Sequence, residues 1–390
     1  REERQFREMR LASGREKDVS ELKTKVAAAA RRIAGSMDPA RLSGVDGEAL
    51  ISRVVDDAAG LGPIEAMLAD PEVTEIMVNG EDEIFLERGG VIEPCSRRFL
   101  DRGHLMAVIE RMVAGAGRRI DELSPMVDAR LPDGSRLNVV IPPLAIDGPA
   151  VTIRRFVKRM RGIEDAVSSG MLTREAAKFL SSCVASRVSI VVSGGTGAGK
   201  TTLLGILAGS IGPRERIITI EDAAELNIES GHVVRLESRP AGMEGTGAIS
   251  IRDLVRNALR MRPDRIIVGE ARGPEALDML QAMNTGHEGS LATVHANSPR
   301  DAISRLETMV LMAGAELPLA AVREQIARAV GLVVQVARLP GGERRVVEIA
   351  ELSGMEGTTV CIQTIARMSL SRELEFTGIR PGFFDRIGGK

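Results

Sequence analysis

Residues 194–201 match the pattern G-x-x-x-x-G-K-T, which constrains the fold of this chain more than any other segment. Glycines allow such a loop to curl until several backbone N–H groups converge on phosphate oxygens. The lysine of the pattern reaches the β- and γ-phosphates, and the threonine hydroxyl is a ligand of Mg²⁺. The predicted nucleotide-binding residues are Gly195, Thr196, Gly197, Ala198, Gly199, Lys200, Thr201 and Thr202.

The segments on both sides of this loop have the composition that a phosphate loop requires. Residues 188–192 are a short β-rich run, and residues 201–208 predict a helix whose N-terminus would face the phosphates. Beyond them, β-rich and helical segments alternate, which predicts an α/β fold with a mostly parallel sheet and helices on its faces. The predicted strands of this sheet are residues 188–192, 217–220, 233–236, 266–268, 290–295 and 332–337.

The residues before this core domain predict two further segments. We expect residues 1–60 to form a helical arm, whose charged beginning is typical of a solvated helix or of a docking arm for a partner or a membrane surface. Residues 61–157 alternate short strands with turns, most clearly at Asn79-Gly80, and predict a smaller α+β domain. A basic linker at 158–165 would then lead into the core domain at 166–390.

Charge and composition argue against several classes of protein. The net charge is −2 and only 2% of the residues are aromatic, which argues against a nucleic-acid-binding protein. Cys95, Cys183 and Cys361 form no C-x-x-C pair, so we expect three buried, reduced thiols and neither a zinc site nor a disulfide framework. No apolar run approaches the roughly 18 residues of a membrane span, and no signal peptide is evident, so we expect a cytosolic protein.

Charged residues follow the predicted strands at the edge of the sheet that carries the phosphate loop. In open α/β sheets, ligands bind beyond the carboxyl ends of the strands. Glu221 and Glu270 each follow an apolar strand, and His295 ends another. Carboxylates at these positions can hold Mg²⁺ through water or orient an attacking water, which predicts hydrolysis of a phosphoanhydride. The pattern leaves open which of the two acids polarises the water.

Two histidines and three arginines complete the predicted site. His287 and His295 lie eight residues apart, and a γ-phosphate sensor fits them better than a zinc pair, which would need further ligands. Arg136, Arg154 and Arg155 belong to the smaller domain, and we interpret them as phosphate contacts supplied from outside the core domain. Structural histidines and ordinary surface arginines are the alternative interpretations.

These motifs resemble those of the secretion and type IV filament ATPases, the superfamily that powers type II secretion, type IV pili and type IV secretion. The resemblance is greatest to the CpaF/TadA-like ATPases of Tad (Flp) pili and covers residues 60–340, with a weaker match at 377–386. The matching core motifs are the phosphate loop, TIEDAAEL at 219–226, the Walker B region RMRPDRIIVGEARG at 260–273 and the histidine box TGHEGSLATVHANSPR at 285–300. The matching motifs of the smaller domain are DPEVTEIMVNG at 70–80, DARLPDGSRLNVVIPP at 128–143 and VTIRRF at 151–156.

The resemblance implies a RecA-like P-loop ATPase core, a preceding small α+β domain of PAS-like type and an N-terminal helical segment. It also implies ATP and Mg²⁺ as cofactors, with Thr201, Glu221 and Glu270 near the metal and both acids acting through water. Glu221 would be the candidate for activating water, and His295 would lie nearer the γ-phosphate than His287. The arginines of the smaller domain would contact phosphate.

The resemblance further implies a homohexameric, cytoplasmic motor that associates with the inner membrane through a platform protein and assembles a Tad-type pilus. The chain lacks the four-cysteine zinc element of many type II secretion ATPases, and its arm at 1–60 differs from the docking domains of that branch. The competing hypotheses are a type II or type IV protein-secretion ATPase, a RecA-like nucleic-acid translocase and a regulator that binds nucleotide without hydrolysing it.

Overall fold

The computed structural model describes residues 20–37, 46–155, 162–228, 231–239, 246–314 and 316–384. The chain forms two compact units, Arg1–Val157 and Lys158–Lys390. The beginning of the predicted helical arm, at 1–19, lies outside the described residues, as does the first part of the predicted linker at 158–165. The last residues of that linker belong to a helix instead.

The first unit combines helices with an antiparallel sheet. Its helices are residues 20–36 (α1), Gly47–Ala59 (α2), Pro63–Ala69 (α3) and Arg102–Gly115 (α4). Its strands are Val73–Asn79 (β1), Glu83–Arg88 (β2), Val91–Pro94 (β3), Met126–Arg130 (β4), Arg136–Val140 (β5) and Ala150–Arg154 (β6). The strand order is β3-β2-β1-β6-β5-β4, and all neighbouring strands are antiparallel.

Glycines close the first two hairpins of this sheet. Gly80, with φ of 71°, begins the loop between β1 and β2, where the Asn79-Gly80 turn was predicted. Gly89 and Gly90 form the two-residue connection between β2 and β3, and both have positive φ, as a type I′ turn requires. One face of the sheet packs on α3 and α4, and this core contains the buried side chains of β1, β5 and β6.

Helix α1 contributes little to that core. None of its residues is buried, and Leu22 and Ile33 are 49% and 59% exposed. An ion pair between Lys23 and Glu65, 2.7 Å long, ties it to α3. Its apolar side chains therefore do not form a core-facing stripe.

The second unit alternates helices with strands of a larger sheet. Its helices are Ile163–Ser168 (α5), Arg174–Ala185 (α6), Lys200–Ala208 (α7), Ile251–Ala258 (α8), Glu275–Asn284 (α9), Pro299–Leu311 (α10) and Leu319–Ala329 (α11). Its strands are Ile190–Gly194 (β7), Ile217–Glu221 (β8), Val233–Glu237 (β9), Arg265–Ala271 (β10), Leu291–His295 (β11), Leu332–Arg338 (β12), Arg344–Glu356 (β13), Thr359–Met368 (β14) and Leu374–Phe376 (β15).

The larger sheet has the order β15-β14-β13-β12-β7-β11-β10-β8-β9. The six strands from β12 to β9 are parallel and correspond to the six predicted strands. Strands β13, β14 and β15 extend the sheet in antiparallel fashion, and no prediction covered them. The mixed sheet nevertheless confirms the α/β prediction.

Helices cover both faces of the larger sheet. One core cluster joins α5, α6 and α7 to one face, and a second cluster joins α8 to α11 to the other. Successive residues of β7 alternate between the two clusters: Ile190 and Val192 belong to the first, and Val191 to the second. Such a strand is apolar throughout because both of its faces are buried. None of the described helices is long and apolar enough to cross a membrane.

The expectation of three buried thiols is wrong for two of the cysteines. Cys183 on α6 is buried, whereas Cys95 and Cys361 are partly exposed. Burial, with a smaller contribution from the charge of Glu351, raises the pKa of the Cys183 thiol to about 12. Cys183 is therefore an unreactive core residue.

Candidate nucleotide-binding site

The phosphate-loop pattern forms the connection between β7 and α7. Gly197 and Gly199 have φ of 68° and 98°, a backbone region that favours glycine. A Cβ on Gly194 would lie 2.5 Å from the carbonyl oxygen of Val336 on the neighbouring strand, which excludes any larger residue there. Helix α7 begins at Lys200, so its first turn presents backbone N–H groups without helical partners at the loop.

The side chain of Lys200 folds back along the loop. Its Nζ donates to the carbonyl oxygen of Gly195 at 3.0 Å and lies 3.8 Å from Oε1 of Glu270. The lysine side chain is only 10% exposed. A cation therefore stands beside the curled backbone, as a phosphate-binding loop requires.

Three parallel strands bring predicted site residues to the same edge of the sheet as the loop. Glu221 ends β8, Glu270 lies near the end of β10, and His295 ends β11. In the register of β11 with β7, His295 is directly opposite Gly194, and its side chain is exposed. Because these residues lie at the same edge of the sheet, they can contact one ligand.

The two acids at this edge have different surroundings. Glu221 is 3% exposed, and its carboxylate accepts hydrogen bonds from the backbone N–H groups of Glu225 and Leu226 at 2.9 to 3.2 Å. Burial raises the pKa of Glu221, although these backbone hydrogen bonds oppose the shift. A Cβ on Gly269 would lie 2.7 Å from Cγ of Glu221, which explains why glycine precedes Glu270.

Glu270 is the more accessible acid. Its side chain is 23% exposed, and besides approaching Lys200 it accepts two hydrogen bonds from Arg272, at 2.9 and 2.6 Å. Arg272 also lies 3.5 Å from Asp222, which follows β8. Glu270 therefore lies among charged side chains next to the loop, whereas Glu221 is held by the backbone N–H groups of Glu225 and Leu226.

The donors at this edge fit a hydrated divalent cation. Thr201 supplies a hydroxyl in the first turn of α7, and Glu270 supplies a partly exposed carboxylate. Mg²⁺ keeps several waters and is held by one or two oxygen ligands together with substrate phosphates. Glu221 would reach the metal only after releasing the backbone of residues 225 and 226.

The structure separates the two histidines of the predicted site. His295 lies at the carboxyl end of β11, whereas His287 precedes the amino end of the same strand. The carbonyl oxygen of His287 accepts a hydrogen bond from Ser290, and the N–H of Gly289 donates to Oγ of Ser189, which directly precedes β7. Within one chain, His287 is therefore at the opposite edge of the sheet from the phosphate loop, and its predicted place in the site is corrected.

The three predicted arginines of the first unit have two kinds of environment. Arg136 on β5 and Arg154 on β6 are directly opposite each other, and the Arg154 side chain is exposed. Arg155 is half-buried, and its Nη1 donates to the carbonyl oxygens of Asp70 and, at 2.9 Å, of Val73. Arg155 thus anchors the turn before β1.

Several polar residues at the site were not predicted. Thr293 donates from Oγ1 to the carbonyl oxygen of Gly269 at 2.6 Å, which ties β11 to β10. Gln335 accepts from Ser193 and donates to the carbonyl oxygen of Ala296 at 3.2 Å. Their types were visible in the sequence, but their pairing depends on which strands are neighbours.

Comparison with known proteins gives consistent matches over most of the chain. The model of the family "Type II/IV secretion system protein" matches residues 57–371. A conjugal transfer protein, so named, of Mycobacterium tuberculosis is 39% identical over 307 residues, which cover 77% of this chain and 87% of that protein. The type IV secretion system protein PtlH of Bordetella pertussis is 33% identical over 323 residues, with coverage of 76% and 95%.

A solved structure supports the fold. The pilus retraction motor PilT with bound ADP has a TM-score of 0.53 at 21% identity, and the match covers 79% of this chain and 83% of PilT. At this level of identity, the likeness concerns the fold alone. It agrees with a RecA-like core preceded by a smaller domain.

Proposed function

Since this chain belongs to the family of type II/IV secretion system proteins, we propose that it is an ATPase motor that drives a secretion or pilus machine. The observation that carries the proposal is the phosphate loop with Lys200 beside Glu270, 3.8 Å away, at the carboxyl edge of a parallel sheet. Lys200, which can bind the phosphates, and Glu270, which can hold the metal or orient the water, thus lie next to each other.

In the proposed reaction, Lys200 exchanges the carbonyl oxygen of Gly195 for phosphate oxygens. The first turn of α7 would donate its N–H groups to the phosphates, and Thr201 and Glu270 would hold Mg²⁺, which when bound would neutralise charge on the phosphates. In this proposal, His295, which is opposite Gly194 in the sheet, contacts the γ-phosphate. Glu270 or Glu221 orients the attacking water, and the accessibility of Glu270 favours the former.

The smaller domain would complete the site. Arg136 and Arg154 lie side by side on the face of the sheet that is turned away from its helices, and Glu75 on β1 is opposite Arg154 on its other side. Two neighbouring guanidiniums present several N–H donors to one phosphate group. We infer that this pair, rather than Arg155, contacts phosphate in a homohexamer.

Within the family, we propose assembly of a Tad-type type IV pilus, with a platform protein of the inner membrane as partner and peripheral, cytoplasmic location. The motif pattern of both domains supports this assignment. Relatives that are named for conjugal transfer and type IV secretion and that match over most of their length support a second candidate, secretion of a protein or of conjugative cargo.

The test has a biochemical and a cellular part. The purified chain should hydrolyse ATP only with Mg²⁺, should lose turnover in Lys200→Ala, and should sediment as a hexamer in the presence of nucleotide. A strain without the protein should lose its pili. Intact pili together with loss of conjugation or protein secretion would select the second candidate, and absence of any nucleotide binding would refute both.

A further inference from the structure

The carboxylate of Glu270 is held between two cations, each near a different oxygen. Lys200 Nζ lies 3.8 Å from Oε1. Arg272 donates to Oε2 from Nε at 2.9 Å and from Nη2 at 2.6 Å. The guanidinium therefore occupies one of the two oxygens with which Glu270 could hold a metal or its water. The proposed function assigns no task to this arginine.

A second acceptor for the same guanidinium lies at the end of the neighbouring strand. Nη1 of Arg272 is 3.5 Å from Oδ2 of Asp222. Strands β8 and β10 are parallel neighbours with Ile220 opposite Val268. Asp222, after β8, and Glu270, near the end of β10, are therefore at the same edge of the sheet. Ser238 donates from Oγ to Oδ1 of Asp222 at 3.1 Å, which holds this carboxylate in position.

The backbone at Arg272 is fixed, whereas its side chain is exposed. The N–H groups of Arg272 and Gly273 donate to Oε1 of Glu275 at 2.6 and 2.8 Å, and Glu275 is 7% exposed. The Arg272 side chain is 62% exposed and that of Asp222 is 46% exposed. The guanidinium can therefore pass from one carboxylate to the other by side-chain rotation, while β8 and β10 stay in place.

We propose that Arg272 is a positioning residue that exchanges Glu270 for Asp222 when nucleotide and Mg²⁺ bind. In the arrangement described above, the guanidinium neutralises Glu270, which lies beside Lys200. A guanidinium and a divalent cation on one carboxylate repel each other, so metal binding at Glu270 favours the pairing of Arg272 with Asp222. The inference rests on the proposed function and adds to it a link between the metal site and the acidic segment after β8.

The test measures binding of a fluorescent ADP, which needs no turnover, at increasing Mg²⁺ concentration. Arg272→Ala removes the competitor for Glu270, so the half-saturating Mg²⁺ concentration should fall by about threefold or more. Asp222→Asn removes the second acceptor, so that concentration should rise by a similar factor. Arg272→Lys keeps a cation without its fork of donors and should give an intermediate value.

A matched control is Arg367→Ala, which removes another exposed arginine from a 2.7 Å pair with Glu348, on β14 and β13. It should keep the Mg²⁺ dependence of the unchanged protein. A purely structural role of Arg272 predicts instead a lower Tm and weaker ADP binding at every Mg²⁺ concentration, with no change in the half-saturating value. That result, or a higher Mg²⁺ requirement in Arg272→Ala, would overturn the inference.

Two further outcomes separate this inference from the proposed function. If Arg272→Ala does not fold, Asp222→Asn and Arg272→Lys decide the matter, and unchanged Mg²⁺ dependence in both refutes the exchange. If the unchanged protein binds Mg²⁺ and ADP but none of the variants shifts the Mg²⁺ dependence, only the role of Arg272 fails. If the unchanged protein binds no ADP, the proposed function itself fails.

Discussion

At the scale of single residues, burial distinguishes carboxylates that look alike in the sequence. Glu221 and Glu270 both follow apolar strands, but Glu221 is 3% exposed and bound by backbone N–H groups. Glu270 is 23% exposed and faces Lys200. A carboxylate that must hold a metal or water during turnover has to be reachable, so Glu270 is the better candidate for that work.

We predict that Glu270→Gln keeps ATP binding and loses hydrolysis by about a hundredfold or more, as expected when a positioned acid or base is removed. The amide has the size of the carboxylate but cannot accept a proton. Equilibrium binding of a labelled ATP analogue and release of phosphate measure the two properties. Normal turnover in this variant would show that Glu270 is not part of the chemistry.

We also expect the adjacent residues Arg154 and Arg155 of the first unit to have different roles, one in turnover and one in stability. We expect Arg154→Ala to lower kcat by more than it weakens ATP binding, because transition-state arginines contribute about 10³ to 10⁵ in phosphoryl transfer. Arg155→Ala should have the larger effect on Tm, since it removes the side-chain donor to the backbone carbonyls of Asp70 and Val73. The reverse pattern in kcat and Tm would exchange the two roles.

At the scale of helices and strands, the amino edge of the larger sheet is held by one buried ion pair. Arg265, at the start of β10, is fully buried and donates to Glu215 at 2.7 and 3.1 Å. It also donates to the carbonyl oxygens of Gly289 at 2.8 Å and Val184 at 3.0 Å. The segments before β8, β10 and β11 and the end of α6 thus meet at one guanidinium.

We predict that Glu215→Gln lowers the free energy of unfolding by about 3 kcal/mol, because it leaves the buried charge of Arg265 without its counter-ion. Denaturant unfolding measures the loss. The exposed pair of Glu324 with Arg328 on α11 provides a control, since Glu324→Gln should cost less than about 0.5 kcal/mol. Equal losses in the two variants would show that the Arg265 pair contributes no more than a surface pair.

The pair of Glu215 with Arg265 also makes the free energy of unfolding depend on pH, in a direction that follows from the pKa of Glu215. Burial alone would raise the pKa of Glu215, but hydrogen bonds and charge from Arg265, together with Arg187, lower it below its ordinary value. Its contribution is therefore present above the unfolded pKa of about 4.3 and is lost as pH falls through the folded value. The difference in stability between Glu215→Gln and the unchanged protein should shrink in that acidic range.

Much of the second unit could be predicted because its signals are local. The phosphate loop is a contiguous pattern, and strands such as β7 are apolar throughout because both faces are covered. Strands β13 and β14 form an antiparallel pair rich in Val, Ile and Thr, but the alternation of strands with helices on which the prediction rests ends at β12. The pairing of Arg272 with Glu270 and Asp222 could not be predicted, because it depends on the register of β8 with β10.

The position of His287 is an instructive error. His287 and His295 were grouped because they are close in sequence, yet a five-residue strand, β11, occupies Leu291–His295. A strand rises by about 3.3 Å per residue, so residues on either side of it lie at opposite edges of the sheet. The strand prediction at 290–295 therefore contained the information that separates the two histidines.

At the scale of the whole molecule, each of the two units has its own core. The first unit buries its side chains between α3, α4 and one sheet, and the second forms its core clusters on the faces of another sheet. The division of the chain after Val157 follows from these separate cores. Two cores allow two unfolding transitions, which nucleotide binding should affect unequally.

We predict that ADP with Mg²⁺ raises the Tm of the second unit by more than that of the first, because a ligand stabilises the unit that binds it. The chain contains no Trp, so Phe85→Trp and Phe179→Trp would report separately on the first and second units. Fluorescence during heating measures both transitions. An equal rise in both would show that the two units unfold together when nucleotide is bound.

The buried guanidinium of Arg265 also has a mechanical consequence. The amino edge that it holds is the end of the sheet away from the phosphate loop, so these contacts fix one end of the strands and the candidate nucleotide site lies at the other. Strands that are hydrogen-bonded along their length and connected at their amino ends resist bending. We therefore expect the displacement produced by such a motor to come from rigid-body rotation of this unit, with little elastic energy stored in the bending of its strands.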